Sequence, residues 1–316
     1  MDTLRIITGA SHPWFAQEVA KKCGTELCNV HHIRFSNDNM FVQIEENVRA
    51  ADVFIIQTPR PSVSDHLLEM LMLVQACRSA SAERITVVMP YFFYARSDKK
   101  DQPRIPITAR LVADMIEAAG ADRVLCMNLH SQQVQGFFRI PIDQIFATEH
   151  LCKAIKPYID HDSWTVVSPD LGGAKLAKMY SEILKLPLAM MTKNRPGNYE
   201  EPEVGYLTGD VHGRSVLIVD DEIASGGTFV KAAKWLREEA GAKAVYGAVI
   251  HPVLGGKAVE RLAAAPIERL WMTDTFPVPY LAPNMEIVSV TDIFADAIMR
   301  IHQHISVSQM FKIKRF

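Results

Sequence analysis

Two adjacent carboxylates follow a short apolar run in the second half of the chain. Asp220 and Asp221 come directly after Val216–Val219, and Gly226 and Gly227 follow shortly afterwards. The glycines allow close approach of the backbone to an anion, and N–H groups at the start of a following helix can bind phosphate. The carboxylates suit sugar hydroxyls or a hydrated divalent cation. A helix cap beside a surface acidic pair is the alternative, but paired carboxylates after a buried strand repel each other and favour a binding role.

Short apolar and β-branched runs recur along the chain and alternate with segments of helical periodicity. Such runs are typical of buried strands, and the alternation predicts βαβ units with parallel sheets. The predicted strands are Leu4–Thr8, Val53–Gln57, Ile85–Met89, Val124–Met127, Thr165–Ser168, Ala189–Met191, Val216–Val219, Val245–Ile250, Leu270–Met272 and Ile287–Val290. The predicted helices are Ser64–Ala82, Thr108–Ala119, Gly172–Leu184, Thr228–Ala240 and Asp292–His304. The polar segment Asn194–Asp210 is expected to be irregular.

A weak internal repeat divides the chain in two. Ala119–Val124 ends one predicted helix and opens a strand that leads to His130, and Ala240–Val245 does the same for a strand that leads to His251. This repetition and the length of 316 residues predict two similar doubly wound domains, 1–146 and 147–316, with ligands at the carboxyl ends of their strands. Ordinary punctuation of an α/β protein is the alternative explanation of the repeat.

Composition excludes several classes of protein. A formal net charge of −2 argues against non-specific nucleic-acid binding. The five cysteines are odd in number and form no C-x-x-C pair, so neither a disulfide framework nor a zinc site is indicated. The N-terminus does not resemble a signal peptide, and no apolar run approaches the roughly 18 residues that span a bilayer. We therefore expect a cytoplasmic protein without a membrane partner.

Several motifs together resemble one enzyme family. The stretch from Val216 to Thr228 resembles the phosphoribosyl-pyrophosphate motif that phosphoribosyltransferases and ribose-phosphate pyrophosphokinases share, and alone it does not separate the two classes. Pro90–Asp101 resembles the mobile catalytic loop of the pyrophosphokinases, and Met127–Phe138 resembles their signature stretch. Further similarities to that family lie, in order, at Val167–Ala174, Lys193–Pro196 and Thr273–Thr275. The resemblance covers nearly the whole chain and implies two similar phosphoribosyltransferase-like, doubly wound α/β domains with mainly parallel sheets.

The resemblance also implies an activity and a set of roles. The family transfers the pyrophosphoryl group of ATP to the 1-hydroxyl of ribose 5-phosphate with Mg2+, usually as a homo-oligomer built from dimers and often a hexamer. Its catalytic cations match Arg96, Lys99, Lys193 and Arg195. Its ATP-binding residues match Phe35, Asn37, Asn39, Arg96, Ser97 and His130, and its metal neighbourhood matches His130 and Asp170. Its ribose 5-phosphate site matches Asp220, Asp221, Ala224, Ser225, Gly226, Gly227 and Thr228.

The sequence departs from the family pattern at a few of these positions. Asn39 stands where an acidic residue is usual, Ala224-Ser225 replaces Asp-Thr, and Ser97 replaces a common Gln. Residues that match the family's phosphate and ADP control site are Arg49, Ser81, Arg104 and Ser308, while Asn47 replaces a usual Ser. Ala224 and Asn39 motivate a second hypothesis, a non-catalytic regulatory paralogue. A phosphoribosyltransferase is a third hypothesis, but it leaves the N-terminal motifs unexplained.

Overall fold

The computed structural model describes residues 3–194, 203–278 and 280–310. These residues form two compact units. The first contains the described residues of Met1–Phe146, Thr275–Pro277 and Val290–Phe316, and the second contains those of Ala147–Asp274 and Val278–Ser289. Each unit has a mainly parallel sheet and helices, which confirms the α/β class. Within the described residues, no helix is long and apolar enough to cross a membrane.

A five-stranded parallel sheet forms the centre of the first unit, and its strand order is β1-β4-β5-β6-β7. Continuous burial of the apolar central strands explains why they appear in the sequence as unbroken apolar runs. The strands are β1 (Thr3–Thr8), β2 (Val30–Arg34), β3 (Met40–Ile44), β4 (Ala51–Ile56), β5 (Arg84–Met89), β6 (Arg123–Met127) and β7 (Ile142–Ile145). The helices are α1 (Pro13–Lys22), α2 (Val63–Ser79) and α3 (Thr108–Ala119).

Strands β2 and β3 form a separate antiparallel hairpin. Just before β2, Leu27 forms a parallel bridge with Ile6 of β1. The chain therefore enters β2 from beside the carboxyl half of β1. Most residues of the hairpin are exposed, and its turn carries residues 35–39. Sequence patterning did not predict this hairpin, because it lacks one continuously buried face.

The second unit contains a seven-stranded sheet of order β10-β9-β8-β11-β12-β13-β14, in which only the β9–β10 pair is antiparallel. Its strands are β8 (Trp164–Ser168), β9 (Leu188–Asn194), β10 (Glu203–Thr208), β11 (Ser215–Ile223), β12 (Ala244–Pro252), β13 (Arg269–Thr273) and β14 (Met285–Val288). Its helices are α4 (Thr148–Ile155), α5 (Ala174–Leu184), α6 (Gly227–Glu238) and α7 (Ala258–Ala263). Apolar residues of β11 and α6, such as Ile218 and Phe229, meet in its core.

The winding of the second sheet reverses between β8 and β11. From β8 the chain moves to β9 on one side, and it later returns to place β11 on the other side. In open α/β sheets, ligands bind at the carboxyl ends of the strands beside such a reversal. The strand order therefore marks the end of β8 and the end of β11 as the place to look for a site.

The last helix, α8 (Thr291–His302), belongs to the first unit. Phe294 of α8 packs edge-on against Phe15 of α1, with ring centroids 5.4 Å apart. Nζ of Lys22 in α1 also forms an ion pair with Oδ1 of Asp292 in α8, at 2.5 Å. The sequence-based division assigned all of 147–316 to the second domain, whereas in the structure the chain from Val290 packs with the first, because α8 buries its apolar face against α1.

Every strand and helix predicted from periodicity overlaps an element of the structure. In both segments of the internal repeat a glycine with positive φ follows the helix: Gly120 after α3 (φ +106°) and Gly241 after α6 (φ +72°). A Cβ at Gly120 would lie 3.1 Å from Nε of Arg78, so this turn favours glycine. The segment Asn194–Asp210, predicted to be irregular, contains a strand instead, because Glu203–Thr208 pairs with β9.

Candidate active site

Three carboxylates lie around the reversal point of the second sheet. β8 and β11 run parallel and pair from Trp164–Val167 to Ser215–Ile218, so their carboxyl ends point the same way. Asp170 follows the end of β8, while Asp220 and Asp221 occupy the last part of β11. The topology thus brings together acids that lie about fifty residues apart in the sequence.

Hydrogen bonds fix the local conformation of these acids. The N–H of Asp221 donates to Oδ1 of Asp220 at 2.9 Å. The N–H of Gly173 donates to Oδ1 of Asp170 at 3.2 Å, and the hydroxyl of Ser168 donates to the Asp170 carbonyl at 2.7 Å. The loop after β8 is therefore folded back on itself with its carboxylate held by the backbone.

Negative charge accumulates at this site. Burial raises the pKa of Asp220 well above its usual value, and the neighbouring Asp221 and Asp170 carboxylates raise it further. An arrangement of this kind disfavours the fully ionised state. A cation or a hydroxyl donor that bound here would relieve the repulsion.

The residues fit a hydrated magnesium ion better than a metal caged by protein. Among the described residues, no group of three or more His, Cys, Asp or Glu could hold a metal ion. Mg2+ commonly takes only one or two carboxylates and completes its shell with water and substrate phosphates. The accumulated charge around Asp220 supplies oxygen donors of that chemistry.

The turn from Ala224 to Thr228 leads into α6. Gly226 has φ +76° and Gly227 begins the helix, so the helical N–H groups of its first turn are directed at this loop. A Cβ at Gly227 would meet only Oγ of Ser225 within 4 Å, at 3.7 Å. The side of Gly227 that a Cβ would occupy is therefore uncrowded, and the phosphate site in this turn stays a prediction.

Two contacts hold this turn from outside. The N–H of Gly255 donates to the Ala224 carbonyl at 2.9 Å, and Nη1 of Arg261 donates to the Ser225 carbonyl at 3.2 Å. Sequence analysis did not single out Arg261, because its partner is a main-chain carbonyl. Since both bonds use backbone carbonyls, the fold of the turn does not depend on the side chain at Ala224.

The loop that resembles the mobile catalytic segment lies in the first unit. Arg96 and Lys99 are exposed, whereas Ser97 is half-buried. The Ser97 hydroxyl donates to Oγ1 of Thr108 at 3.0 Å and accepts the Thr108 N–H at 3.2 Å. The Ala109 N–H donates to the Ser97 carbonyl at 3.0 Å. Ser97 therefore closes the base of the loop of residues 98–107.

The other predicted residues of the first unit lie on two surface turns. His130 follows β6, is exposed, and precedes the short 3-10 helix Gln132–Phe137, whereas its counterpart in the repeat, His251, is buried within β12. Phe35, Asn37 and Asn39 are exposed in the hairpin turn. The N–H of Phe35 donates to the Asn39 carbonyl at 2.9 Å, and Oδ1 of Asn37 accepts the Asn39 N–H at 3.2 Å.

The residues that match the control site are partly brought together. The N–H of Ala50, next to Arg49, donates to the Ser81 carbonyl at 2.9 Å. Ser308 lies in the short helix Val307–Met310 after α8, and its hydroxyl is 2.8 Å from that of Ser306. No described hydrogen bond joins Arg104, which is exposed, to any of these.

The predicted catalytic basic pair is Lys193, near the end of β9, and Arg195. Lys193 belongs to β9 through its backbone, and its side chain lies outside the description. Arg195 lies outside the described residues. The predicted site residues belong to both units: those from residues 35–130 to the first, and Asp170, Lys193 and residues 220–228 to the second.

Comparison with protein families gives two matches. Residues 4–120 match the N-terminal domain of ribose phosphate pyrophosphokinase, and residues 191–312 match the phosphoribosyl synthetase-associated domain. Ribose-phosphate pyrophosphokinase of Chlorobaculum tepidum is 41% identical over 312 residues, which cover 98% of this chain and 96% of that protein. Ribose-phosphate pyrophosphokinase 2 of Schizosaccharomyces pombe is 41% identical over 317 residues, which cover 99% and 98% of the two chains.

A solved structure agrees with these relatives. The crystal structure of phosphoribosylpyrophosphate synthetase from Mycobacterium smegmatis superposes with a TM-score of 0.90 at 35% identity, and the match covers 96% of this chain and 100% of that chain. This match confirms the predicted fold class of two phosphoribosyltransferase-like domains.

Proposed function

Since the chain belongs to the ribose-phosphate pyrophosphokinase family and is an enzyme of that activity, we propose how its residues carry the reaction. The 1-hydroxyl of ribose 5-phosphate attacks the β-phosphorus of ATP, and AMP leaves. The observation that supports the roles best is the meeting of Asp170, Asp220 and Asp221 at the reversal point of the second sheet, beside the open N-terminal turn of α6.

Ribose 5-phosphate binds to the second unit. The N–H groups of the turn Ser225–Thr228 and the positive end of α6 hold its 5-phosphate. Asp220 and Asp221 lie near the carboxyl end of β11, just before this turn, and accept hydrogen bonds from the ribose hydroxyls. Loss of the carboxylate usual at Ala224 leaves the turn intact, because Gly255 and Arg261 hold its carbonyls.

ATP binds through the first unit. Phe35, Asn37 and Asn39 of the hairpin turn contact the adenine and ribose, as the resemblance implies. Arg96 and Lys99, which lie on either side of Ser97 in the chain, neutralise phosphate charge and exclude water. Asn39, an amide in place of a carboxylate, still accepts and donates hydrogen bonds to the nucleotide.

Positive charge placed in advance lowers the barrier. Negative charge builds on the oxygens of the transferring group, and Lys193 and Arg195 stabilise that charge mainly in the transition state. A bound Mg2+ would supply positive charge next to the nucleotide phosphates. The family resemblance assigns His130 and Asp170 to the neighbourhood of this ion, where their side chains would bind its water molecules or phosphate ligands.

We further propose a cytoplasmic homo-oligomer built from dimers, under phosphate and ADP control through Arg49, Ser81, Arg104 and Ser308. Five free cysteines support a reducing compartment. The contact between the Arg49 and Ser81 turns supports a common control site.

The test is AMP and phosphoribosyl pyrophosphate formation by the purified protein with ATP, Mg2+ and ribose 5-phosphate, and a control without the sugar. We expect sugar-dependent AMP release that equals phosphoribosyl pyrophosphate formation. Nucleotide binding without AMP release at any phosphate concentration would contradict the proposal and favour the non-catalytic regulatory paralogue.

A further inference from the structure

A buried carboxylate on α2 holds several parts of the first unit together. Glu69 is 5% exposed. Its Oε1 accepts a hydrogen bond from Nδ1 of His32 at 2.7 Å. Its Oε2 accepts from the Ala10 N–H at 2.9 Å, from Nε2 of Gln57 at 2.5 Å and from Nδ1 of His66 at 3.3 Å. A carboxylate is the only side chain that can accept from all of these donors at once.

The donors come from elements that meet at one edge of the sheet. Ala10 follows β1 and Gln57 follows β4, so both lie at carboxyl ends of parallel strands. The Gln57 amide continues the network to the Ser11 hydroxyl. A Cβ at Gly9 would lie 2.3 Å from Nε2 of Gln57, so the strand end is packed directly against this amide. His32, by contrast, comes from the separate hairpin.

Charge is essential to the network. Burial alone would raise the pKa of Glu69, but the hydrogen bonds from His32, His66, the Ala10 N–H and Gln57 outweigh it and hold the pKa below its usual value. Glu69 is therefore ionised throughout the physiological range. A purely structural contact would not require a buried charge, since apolar residues of similar size pack at least as well.

The hairpin needs such an anchor. A two-stranded ribbon is at best marginally stable alone. All residues of β2 after Val30 are exposed, and β3 alternates half-buried and exposed residues. Two side-chain contacts tie β2 to α2: His32 with Glu69, and Nη2 of Arg34 with Oδ2 of Asp65 at 2.7 Å. The Arg34 and Asp65 side chains are 44% and 41% exposed, so this second pair contributes little.

We propose that Glu69 is a positioning residue for the nucleotide, and that its bond to His32 sets the hairpin turn of Phe35, Asn37 and Asn39 against the strand ends at Ala10 and Gln57. This inference rests on the proposed function of that turn. Glu69 itself does not touch the substrate. Its effect is expected on ATP use and not on the sugar.

The decisive variant is His32→Val, with His31→Val as its matched control. Valine keeps the strand propensity and removes the hydrogen bond. His31 is the neighbouring residue on β2, and its imidazole pairs with Glu45 inside the hairpin, 2.5 Å away, instead of with α2. We expect His32→Val to raise the half-saturating ATP concentration roughly ten-fold, the loss of one charge-assisted bond, with ribose 5-phosphate saturation unchanged. His31→Val is expected to match the parent.

A double-mutant cycle tests the path through Glu69. Glu69→Gln alone is expected to raise the ATP requirement in the same way, and adding His32→Val to it should have little further effect. Equal ATP requirements for His32→Val and the parent, or equal increases for His32→Val and His31→Val, would overturn the positioning role.

Direct titration with a non-hydrolysable ATP analogue separates this inference from the proposed function. If the parent released no AMP, the proposed function would fail, and the binding of the analogue would still decide the inference. Weaker binding by His32→Val than by His31→Val would support it. Equal binding by both variants, or no binding by the parent, would overturn it.

Discussion

The hydroxyl of Ser97 accepts a hydrogen bond from the N–H of Thr108, so the two ends of the loop of residues 98–107 are joined at the start of α3. The same hydroxyl donates to the Thr108 side chain, and the Ser97 carbonyl accepts from Ala109. At this position a departure from the family pattern binds the first N–H group of α3 from across the loop. The exposed Arg96 and Lys99 flank the closed base of that loop.

Ser97→Ala is expected to loosen the loop without unfolding the protein. Loss of the hydrogen bonds to Thr108 costs about 1 kcal/mol, and if the loop must be closed for catalysis turnover falls roughly five-fold. Steady-state kinetics and hydrogen exchange of the loop amides measure the effect. Ser97→Thr should restore it, and Ser79→Ala, at the exposed end of α2, is the control. Parental turnover in Ser97→Ala would remove the loop base from the mechanism.

Lys193→Ala is expected to lower turnover by roughly a hundred-fold or more, since its charge acts chiefly in the transition state. Binding of an ATP analogue should remain near the parental value. Lys178→Ala removes an exposed lysine of α5 in the same unit and serves as the control. If turnover of Lys193→Ala stayed within two-fold of the parent, Lys193 would have no catalytic role.

Asp220→Asn is expected to stabilise the protein at neutral pH while impairing its use of ribose 5-phosphate and Mg2+. Since the folded state raises the pKa of Asp220, ionisation opposes folding, and this cost grows as pH rises above the ordinary Asp pKa of about 3.9. The stability gain should therefore be larger at pH 7 than at pH 4. Denaturant unfolding at both values measures it, and equal gains would contradict the charge explanation. Saturation curves identical to the parent would refute the binding role.

The five thiols are expected to react slowly in the folded protein. Burial raises the pKa of Cys23, Cys77 and Cys152 to about 12 and that of Cys28 to about 11, and Cys126 is raised as well. Thiolate is the reactive form, so labelling by a disulfide reagent at pH 8 should be slow until denaturant is added. Rapid labelling of any thiol before unfolding would show that its surroundings open in solution.

The buried central strands were easier to predict from the sequence than the exposed hairpin or the packing partner of α8. Runs such as Val216–Val219 are apolar because both faces of a central strand are covered, and that pattern can be recognised without a structure. The β2–β3 hairpin has no such pattern. The place of α8 was also unpredictable, since its apolar stripe fits any apolar surface and only the fold selects α1.

The candidate site was likewise only partly predictable from the sequence. Asp220, Asp221 and the glycine turn were recognisable because their chemistry lies in one continuous stretch. The convergence of Asp170 with them depends on the strand order, which the sequence does not contain. The roles of Ser97, Arg261 and Glu69 rest on hydrogen bonds to residues remote in the chain or to backbone atoms. Such partners leave no local motif.

The position of α8 has a consequence for synthesis on the ribosome. All described residues of the second unit precede Val290, so that unit needs no later part of the chain to fold. The first unit begins to emerge earlier but must wait for α8, whose Phe294 and Asp292 meet Phe15 and Lys22 near the opposite end of the chain. Until α8 has been made, the surface of α1 that it covers stays exposed. A nascent chain of this protein therefore finishes folding at the part that was made first.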